Sequence, residues 1–429
     1  MRADVTAPET PGSMDTTDRK KPRVPLLVRL IIGISVGIVL GLIAQSNDIE
    51  WPVRTLATFS AIFGSFLSFA IPLIVFGFIT PGIGSLSQGA GRLLGINVGL
   101  AYVSTVLAGA LAVTCALLLY PILLDGKSLS TAANPEDALL APYLEFQVDP
   151  PLAVTTALVL AFVIGLGITA LPNKRLLHLA EDFRDIIEML LNRVIIPLLP
   201  IHIAGVFANM TYGGDVATIL KVFAVVFLMV IVLHWVWLLV QYSVAGAVGK
   251  TNPFAMLKDM MPAYFTAIGT QSSAATIPVT LQSAKKAGVR SQIADFAIPL
   301  NANIHLSGSM ITITACAVAV LTMVEHRDPS FTEMIPLILV LGVMMVAAPG
   351  APGGAVMTAL GALQSVLGFN EAMLALMIAL YLAQDSFGTA TNVTGDGAIA
   401  KIVDALAGRK GDAAAEDADA NRSEAAAEA

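Results

Sequence analysis

The chain carries more long apolar runs than one water-soluble core could bury. They cover about residues 25–45, 57–81, 94–122, 151–171, 184–209 and 216–247. A helix of about 20 apolar residues crosses the hydrocarbon layer of a bilayer, so each run predicts a transmembrane helix. Composition agrees: 13% of the 429 residues are charged, against roughly a quarter in an average soluble domain, and the mean hydropathy is +0.78. The fold class expected is an all-α polytopic membrane protein. A net charge of -7 argues against a nucleic-acid partner. Cys115 and Cys316 lie in apolar runs and read as small core hydrophobes.

Beyond residue 250 the runs become interrupted. Segment 253–288 is broken at Gln271-Ser272-Ser273-Ala274-Ala275-Thr276-Ile277-Pro278, and 289–323 at Asn301-Ala302-Asn303-Ile304-His305-Leu306-Ser307-Gly308-Ser309. Segment 332–368 is broken at Ala348-Pro349-Gly350-Ala351-Pro352-Gly353-Gly354, and 371–407 carries polar groups throughout its middle. The order is hairpin-like break, interrupted helix, hairpin-like break, polar helix. Non-helical backbone at membrane depth is tolerated only where it lines a cavity or is buried in protein. Two such units in tandem therefore predict an inverted repeat with re-entrant hairpins.

Basic residues set the orientation. Lys20, Lys21 and Arg23, Lys174 and Arg175, Lys250 and Lys258, Lys285, Lys286 and Arg290, and Arg409 with Lys410 share one side if 253–288 dips in and returns. The acidic loop at about 123–150 then falls outside under the positive-inside rule. The expected topology has eight transmembrane helices plus two re-entrant helical hairpins, with both termini cytoplasmic at the cell membrane. Residues 1–24 read as a disordered cytoplasmic N-terminal tail and 408–429 as a disordered acidic one.

Within the last run, Asp385, Thr389, Asn392 and Asp396 step by four, three and four residues. On a helix this spacing makes one stripe. A charge at membrane depth costs from a few to ~10 kcal/mol, so such residues face the interior of a bundle or a wet cavity and mark a pathway or a binding site. No Lys or Arg occurs between Arg327 and Lys401, so the partner of Asp385 is expected from outside the protein. An ammonium group meets that need through charge-assisted hydrogen bonds.

The serine-rich break at 272–280, the Gly350-Ala351-Pro352-Gly353-Gly354 break and Asn392-Val393-Thr394-Gly395-Asp396 resemble, in that order, motifs of the glutamate transporter family, the dicarboxylate/amino acid:cation symporters. The resemblance covers about residues 25–407. It implies a homotrimer of elevator-type transporters, with scaffold spans at about 25–81 and 151–247 and transport-domain elements at about 94–122 and 253–407. The second hairpin would act as an extracellular gate.

The resemblance also implies residue roles. Asp385 would hold a substrate ammonium. Asn392 and Ser273 would bind its α-carboxylate, with backbone groups of both hairpin tips at Ser272 and Ala351. Ser309 and Thr389 would be pocket hydroxyls. At Gly388, members that carry acidic substrates usually have an arginine whose guanidinium forks onto a second carboxylate. Its absence here favours a small neutral amino acid, although Gln271 or His305 could offer a weaker donor to an acidic substrate or dicarboxylate.

Asp396 would ligate Na+, with carbonyls of Asn301, His305 and Asn392. A second Na+ site would use carbonyls near Asn303 and on the second hairpin, where Ala348 replaces a helpful hydroxyl. A third site, in which Tyr102 and Thr105 would take part, lacks its usual groups, because His305 and Ser307 stand where the family has an Asn and an Asp. An unperturbed histidine changes charge near neutrality, so a proton carried at His305 is the alternative coupling ion. No nucleotide-binding motif occurs. An intramembrane hydrolase would need nucleophile, base and oxyanion hole in mutual reach. The expected function is Na+-coupled amino-acid symport in a lipid bilayer, without enzymatic activity.

Overall fold

A computed structural model describes residues 26–85, 92–123, 140–144, 146, 148–214, 216–325, 327–346, 348–350 and 352–427. The N-terminal tail, most of the acidic loop and Ala351 lie outside these. The described residues form fourteen α-helices and no strand.

The first half consists of long apolar helices. These are α1 (Leu26–Ser46), α2 (Trp51–Ser85), α3 (Arg92–Leu123) and α4 (Val154–Ala170). They are followed by α5 (Arg175–Leu190), a π-helical turn (Leu191–Ile195), α6 (Ile196–Tyr212) and α7 (Val216–Gly249). α1 lies along α6 through a glycine seam. A Cβ at Gly33, Gly37 or Gly41 would come closer than 3.0 Å to the carbonyl oxygen of Pro200, Ala204 or Ala208. Lipid gives helices no hydrophobic reason to associate, so close backbone approach of this kind carries the packing.

The second half contains both hairpins. In the first, α8 (Pro253–Thr270) folds back on α9 (Ser273–Lys286) across two residues. Asn252 caps α8 by accepting from the Phe254 and Ala255 N–H groups, and Ser272 caps α9 by accepting from Ala275 N–H. In the second, α12 (Phe331–Met345) packs on α13 (Gly354–Leu367). Ser330 and Glu333 make the sequence signal for the start of α12, and the Ser330 hydroxyl accepts from Glu333 N–H. α13 ends at Gly368, whose φ of +72° suits glycine.

Between the hairpins, α10 (Ser291–Ile304) and α11 (Ser307–Val324) are separated by His305 and Leu306, which leave helical geometry. The last helix, α14 (Glu371–Ala427), carries the polar stripe unbroken. Both expected hairpins and the interrupted helix are therefore present as backbone features. α14 is buried along most of residues 371–407, whereas α1 is mostly exposed. The polar stripe thus faces protein, as its cost in lipid requires.

Seven segments of the described chain are long and apolar enough to cross a membrane. α4, expected as a further span, has 17 residues, at the short end of the spanning range. Two expectations need correction. The sequence grouped 216–247 with the scaffold spans, but α7 packs mainly on α14, with α8 and α11, and barely touches α6. Its buried polar side chains His234, Gln241 and Tyr242 explain this, because each finds its partner on α3, α11, α14 or the α10–α11 break. The helical backbone of α14 also runs through the Ala-rich segment expected to lack structure. Alanine is the strongest helix former and needs no burial to adopt helix.

Candidate functional site

Three helices begin at one point. The N-terminal residues Ser273 of α9, Ser309 of α11 and Ala355 of α13 line a small pocket with Asp385, Thr389 and Asn392 of α14. Orphan N–H groups and helix dipoles give each of these ends a partial positive charge. Together they suit an anion, and the Asp385 carboxylate sits at one of them, the start of α13.

Asp385 is 4% exposed. Its Oδ2 accepts from the backbone N–H of Gly353, at the tip of the second hairpin, at 2.7 Å. Gly353 has φ +75°, a conformation that glycine adopts without steric cost. The chain's own backbone thus supplies a neutral donor, but no cationic partner for Asp385. No Lys or Arg lines the pocket.

Asn392 is used more fully than expected. Its Oδ1 accepts from the N–H groups of Gly308 and Ser309 at 2.7 and 3.2 Å, and its Nδ2 donates to the Ser309 hydroxyl at 3.0 Å. It therefore caps the second half of the interrupted helix while bordering the pocket. The Tyr381 hydroxyl, not singled out in the sequence, also donates to Ser309 Oγ at 3.0 Å.

Ser272 does not line the pocket. Its hydroxyl donates to the Gly350 carbonyl at 2.7 Å and ties the two hairpin tips together. Beside it, Gln271 lines the pocket with φ +53°, a left-handed conformation that costs a non-glycine residue roughly 1–2 kcal/mol. Gly388 is buried but faces away from the pocket: a Cβ there would meet the Thr312 hydroxyl at 3.5 Å and Gly308 at 3.7 Å. Gly308 in turn lies so close that its own Cβ would collide with the Gly388 carbonyl. Asn303 is exposed, donates to the Pro299 carbonyl, and lies outside the pocket.

Farther along α14, Asp396 and His305 form a second, fully buried centre. His305 Nδ1 lies 2.9 Å from Asp396 Oδ1, while Asp396 Oδ2 has no hydrogen-bond partner. His305 Nε2 lies 2.9 Å from Ser104 Oγ and 3.2 Å from Gln241 Nε2. Asn301 Oδ1 accepts from Asn97 Nδ2 at 2.6 Å. Its backbone carbonyl, an expected Na+ ligand, accepts from the His305 N–H.

Sequence reasoning missed Asn97, Ser104 and Gln241. Polar residues within apolar helices were the available signal, since each needs a partner in the bundle. The expected pair Tyr102 and Thr105 is corrected: Ser104, the residue before Thr105, reaches His305. Tyr102 instead lies beside Gly342, and the Thr105 hydroxyl donates to its own helix at Ala101.

The pocket has about 10 Å³ of free space, room for one water, and its lining sets a carboxylate beside the starts of three helices. Such a polar site inside a bundle of apolar helices suits a membrane transporter. The sodium:dicarboxylate symporter family matches residues 26–406, and the chain belongs to that family. It is similar to serine/threonine transporters SstT of Acinetobacter baumannii strains AYE and ATCC 17978. Each is 27% identical over 399 residues, covering 89% of this chain and 97% of the relative.

Proposed function

We propose that the protein is a secondary active symporter coupling Na+ entry to uptake of a small neutral amino acid. The observation that carries this reading is the charge balance of the pocket. Asp385 can take one ammonium, the lining Ser273, Ser309 and Asn392 can turn donors toward one α-carboxylate as the hairpin tips part to admit it, and no guanidinium among the described lining residues waits for a second. A side-chain carboxylate would be buried there without a fixed countercharge, which costs several kcal/mol. The serine/threonine transporters among the relatives agree in class.

Asp396 supports the Na+ assignment, because its buried Oδ2 lacks a partner and a hard cation seeks oxygen. His305 orients this carboxylate through Oδ1. The further architecture of the proposal follows the family resemblance: eight spans, two hairpins, a homotrimer, an elevator movement and cytoplasmic termini. The groups that would move are better drawn with α7 among the transport elements, since it packs on α14.

The test is a thermal-shift titration of purified protein against amino acids, with and without Na+. Serine, threonine or alanine should stabilise it in a Na+-dependent way. Tight aspartate binding with no response to these three would overturn the reading in favour of acidic substrates or dicarboxylates. Uptake into proteoliposomes under imposed Na+ or pH gradients separates the coupling ions, and pH-driven uptake lost in His305→Asn would assign the role to a proton.

A further inference from the structure

Outside this small inner pocket lies a larger space of about 500 Å³. α2 and α5 form one wall; the two hairpin tips and the end of α10 form the other. Pro349 and Gly350 border both spaces. The Ser272–Gly350 hydrogen bond stands at this shared border.

Three charged side chains of α5 line the outer space: Glu181, Arg184 and Glu188. Their spacing of three and four residues puts them on one helix face. They are 36%, 38% and 44% exposed, so they meet water. Arg184 lies 3.1 Å from Asp185 and 3.8 Å from Glu188, and Glu181 lies 3.1 Å from His178. A cation flanked by an anion on either side, with neighbours about 5–6 Å apart, presents both signs within the reach of a small zwitterion. A zwitterion has no net charge to be steered over long distances, so it needs such paired charges nearby. Asn303 faces them from the opposite wall.

We propose that this cavity is a second, weaker docking site for the amino acid on its way between the inner pocket and water. Arg184 receives the α-carboxylate, and Glu181 or Glu188 receives the ammonium. The inference rests on the amino-acid reading of the inner pocket. Exposed charges bind weakly in water, which suits a waypoint that must release its cargo. Lys174 and Arg175 at the start of α5 put the mouth on the cytoplasmic side under the positive-inside rule.

Exchange of labelled serine by the full-length protein in proteoliposomes tests this. Arg184→Gln should slow exchange by about two- to fivefold while the Na+-dependent Kd of the inner site, measured in detergent, stays unchanged. Arg184→Lys should restore most of the rate. In Asp385→Asn, weak serine binding detected by saturation-transfer NMR should persist and then vanish on adding Arg184→Gln.

Unchanged exchange in Arg184→Gln, a rate loss matched by an equal loss of inner-site affinity, or no residual binding in Asp385→Asn would each overturn the proposal. Failure of the wild type to bind serine counts against the proposed function instead. The variant-to-wild-type exchange ratio, read with whichever amino acid the wild type takes up, then judges the cavity alone.

Discussion

Asp385 and Asp396 lie on one face of α14, about three helical turns apart, and both are buried. Their surroundings differ in kind. Asp385 is held by a backbone N–H from a hairpin tip, and small side chains and helix ends border its pocket. Asp396 is held by His305, which is itself fixed by groups from α3 and α7. One carboxylate faces a loop that joins two helices; the other is locked into a network spanning three elements. Equal burial therefore need not mean equal function, and the partners decide which carboxylate can exchange them.

The comparison breaks most readily at Asp385. Asp385→Asn should weaken amino-acid binding by about a hundredfold or more, since removing one member of a buried charge pair costs ~2–5 kcal/mol. The amide oxygen can still accept from Gly353, so the fold should survive. Substrate thermal shift together with size-exclusion chromatography checks both parts, and retained affinity would contradict the assigned role.

Asp396→Asn should raise the Na+ concentration needed for half-maximal substrate stabilisation by roughly tenfold, about 1.4 kcal/mol. Binding of the amino acid at saturating Na+ should persist. If the two variants fail in the same way, the division of labour between the carboxylates falls.

Smaller effects should sharpen the contrast. His305→Asn removes a donor to Asp396 and leaves buried groups unpaired, a loss of about 1–3 kcal/mol. It should appear first as a lower melting temperature without Na+, with less change when Na+ is present. Ser272→Ala deletes a helix cap worth about 1 kcal/mol and the tie to Gly350. Its expected mark is a severalfold faster dissociation of labelled substrate, measured by chase with unlabelled substrate; an unaltered rate would remove the tie from any gating role.

Much of this architecture was legible because membrane chemistry narrows the choices. Apolar run length predicted the long helices, and the polar interruptions predicted both hairpins and the His305–Leu306 break. The i, i+4, i+7 spacing of Asp385, Thr389 and Asn392 brought those three to one pocket. Partnerships between distant polar residues were harder to read. Gln241 and Ser104 are ordinary single polar residues in their own helices, and only packing joins them to His305. The placement of α7 was hidden for the same reason. Gly388 shows another limit: sequence identified the missing side chain, but the direction a Cβ would take there depends on how closely α11 and α14 approach.

The contact between Gly353 and Asp385 changes what a binding constant measures here. The carboxylate has about four acceptor sites and the tethered amide fills one. Under the proposed function an arriving ammonium would join this amide, with no need to expel it. The amide then acts as an aiming device: it holds the carboxylate in one orientation before any ligand arrives. A binding constant measured here would thus also report how firmly the hairpin tip stays in place.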